Sequence, residues 1–588
     1  LKDTEKVRGI RQNIGNAARL SMQNLHDDPE FFMLQILRKF GTRSALNGAL
    51  RLYTQRGKRP VTVAMAALLR EDKDALRATI KDWLEHGALS DGTAARLANT
   101  AIAASLWEEA ALVIDRVKSV RGAAARSAAR LHWSLGRIDE AIATLEKGGR
   151  GGGRQLAHYR SERDTFEGLL PMLEDKTRCW DIHGEPHVLY VATNSLPYTS
   201  SGYTQRTHSL LKALQAQGVR VSAATRLGYP VNVGNMMAGP RQEVDGVTYR
   251  RLLPAKQRFD VTGRIQQQTL LLAGLVEELQ PTILHTTTDF TNALAVRAVA
   301  KAYSLPWVYE VRGQLADTWA STRPKSAGSS RRYKLFRKRE GENAKAATAV
   351  VTLGEAMRKN LMEAGVAPER IQVLPNGVGG MFLNEPMDRT RARQEVNLDP
   401  ALSYVGTISS LVHYEGLELL VRLVARMKDT HPHLRLLVVG DGIEREPLIE
   451  LSKKLGIAHK CIFTGRVPRE RAHVYHAALD VFMVPRRDLA VTRDVTPLKP
   501  VEAMACGVPV MASDLPALSE LISHGKTGVL VPAEELEAWV ETLSELLANS
   551  DRRLEIGAAA REFVLQERTW ERSSAVLKQI YWSKRTRS

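Results

Sequence analysis

The chain has 588 residues, 44% of them apolar and 25% charged, too long for a single hydrophobic core and suited to roughly two to four domains. The composition is that of a globular protein, and no apolar run approaches the length of a membrane span. A net charge of +18 excludes no anionic partner: anionic substrates, nucleic acid and an anionic membrane surface all fit, and charge alone does not choose among them. Cys179, Cys461 and Cys506 have neither metal-ligand spacing nor the look of a disulfide framework, which favours a reducing compartment and argues against structural zinc. The opening stretch is charged and lacks the apolar core of a secretory leader, while Leu1 in place of Met leaves room for residues upstream.

Residues 1–180 read as helix after helix, rich in Ala, Leu and Arg, with almost no strand signal. A weak repeat runs through them. LWEEAALVIDRV and GRIDEAIATLEKG share an acidic pair, an alanine (Ala110, Ala141) and an amphipathic helix, and EDKDALRATIKDWL adds Ala75 upstream. HWSLGRIDEAI resembles part of a tetratricopeptide repeat. Stacked helical hairpins are the expectation, serving a partner, self-association or simply a helical cap. GGRGGG (148–153) reads as a flexible break.

After Pro186 the texture becomes strand–helix alternation, the pattern of a parallel sheet covered by helices. VLYVAT (188–193), VRVSAAT, TILHTTT, PWVYEVR, AVVTLG (349–354) and IQVLPNG (371–377) form a first series of strands. LSYVGTI (402–408), RLLVVGDG (435–442), CIFTGRV (461–467), DVFMVP (480–485), VPVMASD (508–514) and GVLVP (528–532) form a second. Two doubly wound halves joined near residues 380–400 follow, with ligands expected at the carboxyl ends of the strands, in the cleft between the halves. VTPLKPVEAMACGVPV (495–510) supplies a proline-punctuated loop, a short helix carrying Glu502, the glycine stop Gly507 and an apolar strand. That is an arrangement in which α/β proteins seat phosphates.

LPNGV (374–378), VVGDG (438–442), EAMACGVPVMASDLPALSELI (502–522) and GKTGVLV (525–531) recur in an order that resembles retaining glycosyltransferases of family 4. The resemblance covers about residues 187–583 and implies a GT-B fold, two facing Rossmann-like domains. After the helical, TPR-like region (1–180), it implies an acceptor domain (187–385), a nucleotide-sugar donor domain (395–565), and a crossover helix with a basic tail (566–588). It implies that Ser201 and Gly202 approach the donor phosphates and that His285 lies near the reacting sugar. Gly406 and Thr407 fall on the strand opening the donor domain, and Arg466 and Val467 fall where the base is held. Glu502 takes the ribose hydroxyls, and Asp494 stands at the position of the family's first glutamate. Val495, Thr496 and Leu498, with Pro497 between them, sit where backbone N–H groups meet the pyrophosphate; Pro497 has none to give.

The chain departs from the family where an arginine and a lysine usually pair with the pyrophosphate. Thr407 stands at the first position, and Tyr414 or Glu415 near the second. Lys499, inside PLKP, is the candidate replacement, with Arg486, Arg487 and Arg493 behind it; a subset of the family resembles this YEGL and TPLKP pairing. Glu310 and Arg312, ending YEVRG, are read as a cleft contact or a mutual ion pair, with function preferred. RRYKLFRKR (331–339) places six cations in nine residues, a dock for an anionic lipid or phosphorylated acceptor, or a solvated helix packing Leu335 and Phe336.

The reading is metal-independent transfer, with retention, of a sugar from a nucleotide diphosphate donor, UDP by family frequency, to a glycan or lipid-linked hydroxyl in bacterial surface polysaccharide or glycolipid synthesis. No cofactor is implied, and the expected setting is cytoplasmic or peripheral at the inner membrane face. Further partners are an anionic membrane surface and a protein bound through residues 1–180. Nucleic acid is not among them, since the basic residues lack interleaved aromatics. The alternatives are an epimerase or phosphorylase on the same fold, and a degenerate transferase acting as a scaffold through its helices.

Overall fold

The computed structural model describes residues 2–40, 60–87, 90–149 and 151–585. The helical region is built from antiparallel hairpins: Pro60–Leu69 with Lys73–His86, Asp91–Ala103 with Trp107–Asp115, and Gly122–Ser134 with Ile138–Lys147, closed by Gly153–Glu167. Alanine makes the stacking close. Ala94, Ala98, Ala101, Ala110, Ala125, Ala128 and Ala141 are buried between helices, where any larger side chain would push the axes apart. Ala75 is exposed and the buried residues of its helix are Leu76, Ile80 and Trp83, so the third copy of the repeat is out of register. The glycine run is a turn rather than a flexible break: Gly149 (φ 75°) and Gly151 (φ 102°) reverse the chain between two packed helices, residue 150 lying outside the described residues.

Two sheets follow. The first has the order β3-β4-β2-β1-β5-β6-β7-β8, with β1 His187–Ala192, β2 Arg220–Thr225, β3 Arg241–Val244, β4 Val247–Arg251, β5 Ile283–Thr287, β6 Trp307–Val311, β7 Ala349–Thr352 and β8 Ile371–Val373. The second has the order β11-β10-β9-β12-β13-β14, with β9 Ser403–Ile408, β10 Leu434–Val439, β11 Cys461–Gly465, β12 Val481–Val484, β13 Val510–Ser513 and β14 Val529–Val531. All pairings are parallel except the β3–β4 hairpin. Helices cover both faces of each sheet, so every residue of β1, β5, β6, β7, β12 and β13 is buried. This is why those strands read as unbroken apolar runs.

Where the second sheet must be thin, glycine stands in it. A β-carbon on Gly406 would overlap the Leu437 carbonyl oxygen of β10, and one on Gly440 (φ 140°) would overlap the Ser409 carbonyl oxygen. The loops after β9 and β10 therefore clasp through Ser409 N to Val439 O and Leu411 N to Asp441 O. Gly406 and Thr407 are buried strand residues, so their part is to bring the two loops together rather than to reach a ligand.

The helix Trp570–Arg585 crosses back from the second half to the first. Trp570, Leu577, Ile580 and Tyr581 pack into one cluster with Val188, Leu210, Leu214 and Ile283, and Leu498 of the second half joins them. The helical region is bolted to the first sheet domain through the helix Arg331–Ala346. Arg332 is enclosed by the rings of Trp133, Phe166 and Trp319 at 5.2–5.4 Å and pairs with Glu162 at 2.8 Å. Arg331 pairs with Asp139 and Glu167, Arg337 with Asp317, and Arg339 with Glu342. Of the alternatives for this helix, docking on an anionic surface has few cations left to it: Arg331, Arg332 and Arg339, the last through Leu169 O, hold the helical region, and Arg337 holds the helix Leu315–Ser321.

Gly406→Ala tests the clasp. Overpacking against a backbone carbonyl is expected to cost at least about 1–3 kcal/mol, seen as a lowered midpoint in urea unfolding. An unchanged midpoint would show that the sheet can yield there.

Candidate active site

Each sheet domain has one glutamate with no exposed surface, Glu310 in the first and Glu502 in the second, and the two are built alike. Glu310, at the carboxyl end of β6, accepts Arg206 Nε at 2.8 Å, Arg312 Nη2 at 2.7 Å and Tyr190 Oη at 2.7 Å, with His285 Nε2 at 3.6 Å. Burial pushes its carboxyl up, but Arg312 and Arg206 outweigh burial and hold it well below the usual carboxylate range. Glu502, in the helix Lys499–Ala505, lies 2.5 Å from Arg469 Nη2, 3.2 Å from Lys499 Nζ and 3.7 Å from His476 Nε2. Burial opposes its charge too, and Lys499 and Arg469 again hold it well below the usual range. Burial keeps the pKa of both His285 and His476 below the ordinary histidine value.

The two clusters differ in access. The Arg206 and Arg312 side chains are 2% exposed, whereas those of Lys499 and Arg469 are each 31% exposed above a fully buried Glu502. Arg312 donates further to Tyr203 O and Thr207 Oγ1, its Nε remaining buried without a partner, and Arg206 donates to Leu374 O, Pro375 O and Asn376 Oδ1. The first cluster is closed. The second is not: each cluster has one buried guanidinium nitrogen without a partner, Arg312 Nε and Arg469 Nη1, but only the second has cations that reach solvent.

Several expected site residues are therefore relocated. His285 is fully buried, with Nδ1 2.6 Å from Tyr581 Oη of the crossover helix, and does not reach the cleft. Glu310 and Arg312 form the mutual ion pair, not a cleft contact. Asp494 sits among Asp317, Arg337, Asn360 and Glu363, all from the first half, while Glu502 has Lys499, Arg469 and His476. The two acids thus occupy separate surroundings. Burial and the neighbouring Asp317 raise the Asp494 carboxyl to about 6.

Of the other expected residues, only the loop Val495–Leu498 is seen to touch both halves. Ser201 caps the helix Gly202–Ala216 through its Oγ and a reciprocal bond with Thr204, and a β-carbon on Gly202 would meet open space. The loop Val495–Leu498 straddles the halves: Thr496 O accepts Asn376 Nδ2 at 2.9 Å, Val495 O accepts Arg486 Nη1 at 2.7 Å, and Leu498 is buried in the crossover cluster. Thr496 Oγ1 is buried and has no hydrogen-bond partner. Arg466 is exposed, 3.9 Å from Asp441, and Val467 packs on the second core.

The back-up cations are engaged. Arg486 grips Glu415 with Nε at 3.2 Å and Nη2 at 2.8 Å, Arg487 pairs with Glu418, and Arg493 pairs with Asp488. Three contributors escaped the sequence reading. Arg469 lies in a polar loop 33 positions before Glu502, with nothing local to mark it. The Tyr203 hydroxyl reaches toward Gly313, and burial raises its pKa with Arg312 and Arg486 opposing. Glu520 crosses the cleft to accept the Glu355 and Ala356 N–H groups at 2.7 and 2.6 Å.

Residues 201–377 match the family model described as a glycosyl transferase 4-like domain, and residues 388–563 match that of glycosyl transferases group 1. A GDP-mannose-dependent alpha-(1-6)-phosphatidylinositol monomannoside mannosyltransferase of Mycolicibacterium smegmatis is 31% identical over 240 residues, 40% of this chain and 63% of the relative. A D-inositol 3-phosphate glycosyltransferase of Nocardia farcinica is 33% identical over 227 residues, 37% of this chain and 48% of the relative. The chain thus spans under two thirds of the length of these relatives. Among solved structures, sucrose-phosphate synthase from Thermosynechococcus elongatus superposes with TM-score 0.57 at 20% identity, covering 68% of this chain and 100% of that one. Anabaena Alr3699/HepE in complex with UDP gives 0.54 at 16%, with the same coverage. The likeness shows the fold of the two sheet domains, a GT-B pair.

Two predictions test these placements. Glu310→Ala strands two buried arginines and is expected to cost about 3–5 kcal/mol of stability in urea unfolding; a variant as stable as the parent would sink the closed-cluster reading. For Asp494 the folded carboxyl, at about 6, lies above its ordinary 3.8, so its stabilising contribution is complete below 3.8 and lost as pH rises through about 6. Asp494→Asn should melt higher than the parent at pH 7.5, with the difference fading below pH 4; a difference independent of pH contradicts the assignment.

Proposed function

We propose that this protein is a retaining glycosyltransferase that moves a sugar from a nucleotide diphosphate donor to a hydroxyl of a glycan or lipid-linked acceptor. The observation that carries the reading is the open cluster: two cations, Lys499 and Arg469, each about a third exposed and fixed over the buried, ionised Glu502 beside a loop that joins the halves. A departing diphosphate needs positive charge already in place. Next to β9 that charge is missing, since Glu415, near the expected lysine position, is neutralised by Arg486. Lys499 and Arg469 supply it here. Glu502 keeps both cations from drifting into solvent, and one acid against two bases leaves a net positive site.

The remaining roles follow from position. Arg466 and Val467 flank the base, and the open space at Gly202 admits the phosphates near the Ser201-capped helix. The unpartnered Thr496 Oγ1 is available to a donor oxygen. Closure of the halves aligns acceptor and donor and excludes water. The leaving phosphate takes the acceptor proton, which suits a cleft where both nearby histidines are buried in ion clusters. GDP-mannose is the first donor to test, because a relative 31% identical is named for it, and UDP-glucose the second; a lipid-linked acceptor places the work at a membrane surface.

Labelled GDP-mannose and UDP-glucose, each incubated with and without glycolipid acceptors, test the reading. Acceptor-dependent transfer with the anomeric configuration retained supports it; donor epimerisation without transfer sinks it. Lys499→Ala should lower turnover by about 10²-fold while leaving the melting temperature near that of the parent. Turnover like that of the parent removes the lysine from its phosphate role.

A further inference from the structure

A cavity of about 570 Å³ lies outside both sheet domains, within the helical region, between the helices Pro29–Phe40, Pro60–Leu69, Asp91–Ala103 and Gly122–Ser134. Arg96 and Asn99 line it from one face of Asp91–Ala103, and Arg126 and Arg130 from one face of Gly122–Ser134, each pair at helical spacing. Glu30 lines it from the start of its helix. Glu30 and Asn99 are 5% and 9% exposed, yet Glu30 Oε2 and Asn99 Oδ1 have no hydrogen-bond partner. A buried acceptor without a donor costs about 1–3 kcal/mol, so two of them in one cavity call for donors from outside. The guanidinium groups of Arg96 and Arg126 form no ion pair among the described residues, while Arg130 has Asp28 at 3.9 Å.

The chemistry of an occupant follows. It must bring hydrogen-bond donors to the two buried oxygens and negative charge to the arginines. A volume of 570 Å³ falls in the range of pockets that enclose small ligands or a few residues of chain. Among the described residues no aromatic side chain lines it, so they offer a sugar ring or a nucleobase no stacking platform. A peptide needs none: its main-chain N–H groups and acidic side chains alternate over a few ångströms. Burial raises the Glu30 carboxyl above its ordinary value, with Arg130 and Arg96 opposing.

We propose that this cavity docks an acidic peptide segment of a partner protein, with side-chain carboxylates on Arg96 and Arg126 and main-chain N–H groups on Asn99 Oδ1 and Glu30 Oε2. The site is separate from the cleft and does not depend on the transferase reading.

Fluorescence anisotropy of a labelled hexaglutamate peptide with the full-length chain tests it. Because the protein is basic throughout, the control removes the same charge elsewhere: Lys453→Ala with Lys454→Ala, both exposed on the second sheet domain. Arg96→Ala with Arg126→Ala should weaken binding about tenfold, Asn99→Ala about threefold to fivefold without a charge change, and the lysine control less than twofold. Equal weakening by both double variants would reduce the attraction to bulk charge and overturn the site. Displacement by inorganic phosphate at matched concentration would make it a small-anion site, and no binding by the parent would end the proposal. If the arginine double variant fails to fold, Arg96→Glu carries the test alone, since Arg96 is exposed.

Discussion

The arrangement of the two halves depends on the ionised Glu310 at the end of β6. It cannot be buried as an anion without its two arginines, and each arginine is then aimed by the hydrogens it has left. Arg206 turns those hydrogens on the carbonyls of Leu374 and Pro375, where the chain leaves the first sheet, and on Asn376. Asn376 in turn donates to the carbonyl of Thr496, in the loop of the second half. On the other side His285 links Glu310 to Tyr581 of the crossover helix. One carboxylate therefore fixes a strand end, the exit to the second half, the Val495–Leu498 loop and the returning helix.

The Glu502 cluster repeats this design with a different outcome. Both are a glutamate, two cations and a histidine, but the cations at Glu502 leave nearly a third of their side-chain surface in solvent. A closed cluster can only hold structure together. An open one can trade part of its ion pairing for a ligand, because Glu502 keeps one cation while the other turns outward. This difference in exposure, more than any motif, separates the scaffold from the site.

Much of the fold was legible because parallel strands covered on both faces have to be apolar throughout, and each of the twelve strands expected from such runs is present. The β3–β4 hairpin was missed, since half-exposed strands break the run. Its turn was marked all the same by Asp245-Gly246, both with positive φ. Pairing was not legible. Arg206 meets Glu310 across 104 positions, and the acids that absorb Arg331 and Arg332 come from helices about 165–190 positions earlier, so a run of cations looked free when it was not. The strand-end charges Glu310 and Arg312 were recognised as meaningful, but two residues apart on one strand they point to the same face, and only the sheet shows that this face is closed.

The contact between the halves carries opposing terms. Glu520 fastens them by capping the helix Glu355–Glu363 with two hydrogen bonds, a helix whose cap residue, Gly354, offers no side chain of its own. Close to it Asp494 faces Asp317 and Glu363, like charges that Arg337 offsets only in part, because Arg337 is already paired with Asp317. Above pH 6, with Asp494 ionised, closure is held by the Glu520 cap and Asn376 and opposed by the acid cluster. Such a balance suits a cleft whose halves must part and meet again. A contact without Asp494 would be stronger and would open less readily.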